Sequence, residues 1–559
     1  KLEDLGASIT VVTKQQMLDT AVLDINDVFR YEASTEGTDN FTTFNRNRSG
    51  GVNDQVQSNP QQSNRIRGIS TAGQSAGGAN TAFGNFRTNN SIPFDLYNVA
   101  AIEISRGPNS NLFGLGAASG TVNVVPTQAN PDRVTASASL RFDDLGGHRE
   151  SLNFNQPIIR GKLALRVAAV QESKGFTRQP ASERIHREFG TILARPLKNT
   201  QIRLTAEAYN NDYRRPNSIT PRDTTTEWKA QGSPTWDPTT QIATFANGTK
   251  TAAITNDALL PFGLIGGYNG IYSRPGVYID NTSIQNFSVQ RTNNPVTTAT
   301  PTNPFTGGNS NLRYLQSGTT IQRNRDILGP TGLPLYLLPG TNDKSIYDWS
   351  SINAVAPNNG ADKAETYSAE IEQVVLNTRS HLIAVKAGAF YQKYERDENG
   401  AIDNLESVIY VDVNEKLLDG RANPYFLRPY LAASEPTLFN RPNVNDIQSA
   451  DLAYQLTPAN TPRWLGWIGQ QKFAAHGETR RIDTATFRYR DAIIDDHPWI
   501  NLQNRTGVTA ARAYYKYYVG DNQGQNIDTA PPAVYGLSRK YPFTWFNALT
   551  NQWVNEPST

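Results

Sequence analysis

Beyond residue 133, apolar and polar residues alternate along much of the chain. In Arg133–Phe142, Val134, Ala136, Ala138, Leu140 and Phe142 share one face, while Arg133, Thr135, Ser137, Ser139 and Arg141 share the other. Successive side chains of a strand point to opposite faces, so the pattern predicts a strand with one apolar and one wet face. In 201–210, Ile202, Leu204, Ala206 and Ala208 stand opposite Gln201, Arg203, Thr205, Glu207 and Tyr209. In 364–376, Tyr367, Ala369 and Ile371 oppose Thr366, Ser368, Glu370 and Glu372. Fainter versions run over 151–159, 163–171, 187–195, 382–394, 481–490 and 508–519. Each is close to the ~9–11 residues that a tilted strand needs to cross a bilayer.

The connections sharpen this reading. Arg160-Gly161, 196–200 and 377–380 are tight joins, and between them lie longer insertions at 143–149, 173–186, 211–363 and 395–480. Short and long connections alternate, as in outer-membrane barrels with short turns at one end and long loops at the other. A soluble two-sheet β protein with large insertions, of carbohydrate-binding or adhesin type, is the competing architecture. The two largest insertions, predicted as loops at about 211–363 and 395–480, are rich in Asn, Thr, Pro and Gly, and loops of that length are functional or disordered. Residues 397–403 have the oxygen ligands and turn glycine of a calcium loop but no closing Glu, so an ordinary acidic turn is expected. The run Ala513-Tyr-Tyr-Lys-Tyr-Tyr518 predicts an interfacial aromatic girdle, or else a sugar-stacking surface.

The first 130 residues follow another pattern. Residues 8–12 read as a short strand, and Thr13 with Gln16 forms a capping box for a helix through Gln15, Met17 and Leu18. Asp24 can cap a second helix with Ile25, Val28 and Phe29 on one face. Gly and Asn dominate 35–90, which is expected to be mostly loop. The prediction is a small α+β domain at 1–130 and a β structure at 131–559.

Two further elements carry a resemblance: Arg65-Ile-Arg-Gly-Ile69, and Ala101-Ile-Glu-Ile-Ser-Arg-Gly-Pro-Asn-Ser-Asn-Leu-Phe-Gly-Leu-Gly-Ala-Ala-Ser-Gly-Thr-Val-Asn-Val-Val125. In order, spacing and residue type they resemble the plug domain of TonB-dependent outer-membrane receptors, of siderophore-receptor kind. The motif positions are Gly68, Gly107, Pro108, Phe113, Gly114, Gly116, Gly120 and Asn123. A compact plug must turn tightly, which calls for glycine. Gly114-x-Gly116-x-x-x-Gly120 is not a dinucleotide loop, because it precedes a strand instead of opening a helix.

The resemblance implies an all-β transmembrane barrel of ~22 strands, of which this chain holds an N-terminal part, with an α+β plug in front. It implies that Arg67 and Arg106 lock the plug to barrel glutamates through charged hydrogen bonds. It places Gly73 and Gln74 at the ligand-facing apex, with Phe86, Arg87 and Asn89 in the next loop. The implied function is active uptake of a scarce nutrient, most commonly a ferric siderophore, across the outer membrane of a Gram-negative bacterium. A glycan importer of the same family is the alternative. The implied partners are TonB with its inner-membrane complex, outer-membrane lipid and the small-molecule substrate. Iron enters only as part of that substrate, with no cofactor. No TonB-gripped segment precedes Lys1, only about nine strands are legible, and the chain ends at Asn-Glu-Pro-Ser-Thr559 without an aromatic-terminated strand. An internal fragment with unpaired barrel edges is therefore expected, unable to fold stably or transport by itself.

Composition removes most other classes. The chain has 559 residues, no Cys, and 53 Lys+Arg against 51 Asp+Glu. It therefore has no disulfides, no thiolate metal site, and no general charge excess for nucleic acid. No apolar run reaches the ~18 residues of a transmembrane helix, a test to which β-barrels are blind. His148, His186, His381, His476 and His497 are dispersed without metal-ligand spacing, and neither a Gly-x-Ser-x-Gly elbow nor a P-loop occurs. No catalytic residue is proposed.

Overall fold

The computed structural model describes residues 8–22, 25–36, 45–46, 52–53, 65–70, 80–89, 92–107, 119–216, 221–254, 259–266, 276–279, 284–288, 315–318, 341–400, 408–417, 420–432, 437–457, 469–489, 512–520, 541–547, 550 and 552–558. The N-terminal unit is built on a five-stranded sheet. Its strands are β1 (Ser8–Thr13), β2 (Asn80–Phe83), β3 (Phe86–Arg87), β4 (Val99–Arg106) and β5 (Gly120–Pro126). Their order is β1-β4-β5-β2-β3, with β5 parallel to β2 and antiparallel to β4. Helix α1 (Lys14–Asp19) starts on the expected capping box: the Gln16 amide donates to Thr13 Oγ1, and Gln16 Oε1 accepts from the Thr13 amide. In α2 (Ile25–Tyr31), Ile25, Val28 and Phe29 are buried together, as their spacing predicts. Asp24 lies outside the described residues. The expectation of loop over 35–90 is corrected by β2 and β3, whose short runs among Gly and Asn show too little periodicity to read.

The remainder is dominated by a ten-stranded antiparallel sheet. It runs in chain order through β6 (Thr135–Phe142), β7 (His148–Ile159), β8 (Leu163–Lys174), β9 (Ser182–Ala194) and β10 (Thr200–Arg214). It continues through β11 (Asn359–Asn377), β12 (His381–Gly400), β13 (Thr437–Leu456) and β14 (Gln471–Thr484). The short Phe487–Tyr489 strand pairs beside β13. This is the up-and-down order of a barrel wall. No helix among the described residues is long and apolar enough to cross a membrane.

Three expectations change here. The predicted loop at 395–480 holds the end of β12, all of β13 and the start of β14. Strand β13 escapes a period-two reading because its outward face carries Asp446 and Gln448 beside Ala450 and Leu452, and Pro442 interrupts it. Asp397–Gly400, expected as an acidic turn, are ladder residues of β12, while 401–403 lie outside the described residues. Of the expected 508–519 strand, 508–511 lie outside the described residues, and Arg512–Tyr518 is no wall strand. It pairs with Pro429–Ala432 and Gly276–Ile279 in a separate sheet that it forms with strands of the two large insertions.

Those insertions fold together over a shared core of Trp228, Trp236, Ile254, Leu264, Leu315, Val411 and Val413. Tyr517 and Tyr518 are fully buried, with Tyr518 stacked on Tyr425 at 4.2 Å and donating to Asp412 Oδ2 at 2.9 Å. They cannot form a lipid girdle. The aromatic rows lie on the wall instead. Tyr367 and Tyr391 stack at 6.5 Å towards the long-connection end, and His381, Tyr454 and Phe473 stack in series at 6.0 and 5.8 Å near the short-turn end. Ile383, the register partner of Tyr454, precedes Tyr391 by eight residues on β12. That is ~27 Å along the strand, or ~21 Å of height at a tilt of ~40°, close to the ~25 Å apolar band of outer-membrane barrels. Exposed outward residues, including Leu140, Leu152, Phe154, Val167, Leu204, Ile371 and Leu452, fill that band.

Candidate functional site

The wall turns its wet face inward, and the plug lies against it. The plug reaches the wall chiefly through residues 86–98. Asn123 prepares this segment: its Nδ2 donates to Asn85 Oδ1 and Glu103 Oε2, and its Oδ1 accepts from the Asn85 amide, all at 2.9 Å. These bonds fix the Gly84-Asn85 turn from which Phe86 projects. The Phe86 ring, 4% exposed, stacks on Phe390 of β12 at 5.3 Å. Gly388 makes room for it, since a Cβ there would stand 2.6 Å from Phe86 Cζ.

Polar bonds follow on both sides of that ring. Gln392 Nε2 donates to Thr88 Oγ1 at 2.7 Å and to Thr366 Oγ1 at 3.0 Å, while its Oε1 accepts from the Asn89 amide at 2.9 Å. Asn445 Nδ2 donates to the Arg87 carbonyl at 2.7 Å. Farther along, Arg149 of β7 grips Asp95 with two bonds, at 2.5 and 2.9 Å, and also Glu172 of β8 at 2.9 Å. Arg187 of β9 donates to the Pro93 carbonyl at 2.5 Å and to Glu207 of β10 at 3.2 Å, and Glu207 also accepts from the Tyr97 hydroxyl at 2.9 Å. Tyr97 packs edge-on to Phe189 at 6.4 Å. Bidentate, charge-assisted bonds of this kind are the strong ones where water is excluded.

The electrostatics follow from burial. Burial alone would raise the Asp95 carboxyl. The Arg149 charge and hydrogen bonds, with help from Arg187 and the Tyr97 amide, outweigh it and hold the group below its ordinary value. Tyr97 is pushed far above the usual phenol range, first by burial and then by the Glu207 charge, so it stays a donor.

Several residues singled out from the sequence stand elsewhere than expected. Arg106 is buried, but the bonds described for it reach Ala33 O, Thr10 Oγ1 and Glu32 Oε2, at 3.0, 2.8 and 2.8 Å, all within the plug. The guanidinium ties β4 to β1 and to the end of α2, because β1 lies between it and open space. Arg67 is exposed; its side chain lies over Gly107, where a Cβ would meet Nη1 at 3.2 Å. Phe86 and Asn89, expected to face a ligand, are engaged with the wall, and the Arg87 backbone is held there too. Gly120, expected at a tight turn, takes a positive φ, and a Cβ there would sit 2.0 Å from the Ser105 carbonyl oxygen. Gly68 and Gly107 both take positive φ. Gly73, Gln74, Pro108, Phe113, Gly114 and Gly116 lie outside the described residues.

The residues that the pattern did not name are Thr88, Asp95 and Tyr97 in the plug, and Arg149, Glu172, Arg187, Gln392 and Asn445 in the wall. Glu207 was legible only as one wet-face position among many. Their common signal is a charged or amide side chain on the wet face of an alternating strand.

Comparison with known proteins gives the plug side of this seam a family. Residues 1–121 match the family described as TonB-dependent Receptor Plug Domain. Among solved structures, the chain is similar to FpvAI in its complex with pyocin S2, at 13% identity over 87% of this chain and 52% of that one, with a TM-score of 0.37. It is also similar to the ferric-catecholate import receptor Fiu of E. coli K12 in its closed form, at 11% identity over 86% and 63%, with a TM-score of 0.35. The siderophore receptor PirA of Acinetobacter baumannii matches at 12% identity over 85% and 54%, with a TM-score of 0.36. The chain thus spans about half of the first of these. The match covers residues 1–121 and identifies the N-terminal unit as a plug domain of the TonB-dependent receptor kind.

Proposed function

We propose that the chain belongs to an outer-membrane active transporter that binds a ferric siderophore at the long-connection end and releases it at the short-turn end when TonB moves the plug. The observation that carries this reading is the plug itself, held against the inner wall by the bonds of Thr88, Asp95 and Tyr97. A passage closed by a bonded plug passes no solute by diffusion, so passage requires work from a partner. The apolar outer band between two aromatic rows supports a place in the bilayer. The resemblance of the plug motif to siderophore receptors supports this substrate class, with Gly73 and Gln74 in the ligand-facing role that it implies.

The test is uptake of radiolabelled ferric siderophores by cells that carry or lack the gene, with and without TonB, alongside its abundance under iron starvation and on polysaccharide. Gene- and TonB-dependent iron uptake with induction by starvation is expected. Induction by polysaccharide alone, without iron uptake, would assign the transporter to glycans. Recovery of the protein only in the soluble extract would overturn the transporter reading.

A further inference from the structure

The two ends of the wall differ in how they treat charge. At the long-connection end several cations are paired with carboxylates: Lys229 with Asp343, Lys416 with Asp237 and Arg441 with Glu398, at 2.5, 2.7 and 2.6 Å. The short-turn end carries Arg160 and Lys162 between β7 and β8, Arg195 and Lys198 between β9 and β10, and Arg379 between β11 and β12. All five are exposed, these three turns contain no carboxylate, and none of the five makes an ion pair among the described residues.

Their neighbours in the chain are exposed apolar side chains: Ile158 and Ile159 before Arg160, Leu197 beside Lys198, and Val375 and Leu376 ahead of Arg379. The lower aromatic row of His381, Tyr454 and Phe473 starts just past Arg379. Exposed apolar residues cost free energy in water and gain it in an acyl layer. A long cationic side chain beside them reaches to the headgroup level. Five unpaired cations around the rim leave the matching negative charge to the surroundings.

We propose that the short-turn rim is a docking surface for anionic phospholipid headgroups of the adjoining leaflet, with Arg160, Lys162, Arg195, Lys198 and Arg379 meeting their phosphates and Ile159, Leu197 and Leu376 entering the acyl region. An acidic peptide would satisfy the cations but not the interleaved apolar residues, so lipid is the occupant favoured here. The inference rests on the barrel wall alone, and it stands or falls separately from the choice of transported substrate.

The experiment reconstitutes the protein in vesicles and measures, by electron paramagnetic resonance, the motionally restricted fraction of spin-labelled phosphatidylglycerol and of spin-labelled phosphatidylcholine. Phosphatidylglycerol is expected to be preferred by about fivefold at low salt, with the preference shrinking as salt screens it. Replacing all five cations by Gln should bring the two lipids to parity. Ile159→Gln with Leu197→Gln should lower the restricted fraction of both lipids and leave their ratio unchanged. Equal affinities in the unaltered protein, or an undiminished preference in the Gln variant, would overturn the proposal. So would displacement of the labelled phosphatidylglycerol by soluble poly-glutamate, which would assign the rim to an acidic protein segment.

Discussion

Two parts of the plug solve different problems with the same chemistry. The first, β1 to α2 with Arg106, spends its described polar bonds on itself: Thr13 caps α1, and Arg106 joins β1, β4 and the residues after α2. The second, residues 86–98, places Thr88, Asp95 and Tyr97 on partners that belong to wall strands. Apolar packing does not separate them, since one continuous cluster runs from Met17 and Phe29 through Phe86 and Tyr97 to Phe189, Phe390 and Ile447. The difference lies in the directional bonds. A seam of apolar contacts alone would let the plug slip, whereas hydrogen bonds and ion pairs define one seat.

The sharpest way to break the comparison is Asp95→Ala. It leaves the Arg149 guanidinium partly uncompensated in a buried place, and removing one partner of such a pair costs about 3–5 kcal/mol. The urea concentration at which residues 86–98 become protease-sensitive should fall accordingly, and Asp95→Ala combined with Arg149→Met should recover part of the loss. The pH dependence has a definite sign. The folded Asp95 carboxyl is depressed, so its contribution is present above the ordinary carboxylate range and is lost as pH falls through the folded value. Plug seating should weaken on strong acidification and stay flat across neutral pH. An unchanged midpoint in Asp95→Ala would move the anchor elsewhere.

A smaller effect tests the steric half of the seat. Gly388→Ala places a methyl against Phe86 Cζ, and overpacking of this kind costs about 1–3 kcal/mol. The strain should vanish with Phe86→Leu, so a double-mutant cycle between positions 86 and 388 should show strong positive coupling. Additive effects would mean that the ring finds another place. Removing a single polar contact, as in Tyr97→Phe, should cost about 1.5–3 kcal/mol because the acceptor Glu207 is charged.

Much of the scaffold was legible in the sequence because its physics is local. The alternation around Leu140 and Leu204 predicted outward apolar residues, and the turns after Ile159 and Asn377 fell where Arg-Gly and Asn-Thr suggested. The capping box at Thr13 was legible for the same reason. Strand β13 was hidden because its facing residues are polar on both sides, so only pairing with β12 reveals it. The seat was hidden for a deeper reason. Arg149, Arg187 and Gln392 lie far in sequence from Asp95, Pro93 and Thr88, and any wet-face residue could have faced the plug. The family motif drew the eye to Arg106, whose described bonds turn out to hold the plug together. Register between strands decides such contacts, and one sequence does not encode it in a readable form.

The mildest perturbation separates the two regions most cleanly. Thr13→Ala removes the side-chain acceptor for the Gln16 amide and the hydroxyl donor to Gln16 Oε1, leaving only the backbone half of the capping box. Loss of such a cap costs about 1 kcal/mol. Because the bonds of Thr13 stay within its own helix turn, hydrogen exchange should quicken in α1 and β1 while residues 86–98 keep their protection. Faster exchange at the Thr88 and Asn89 amides in the same variant would show that the two regions open together, as one cooperative unit, and would erase the distinction drawn between them.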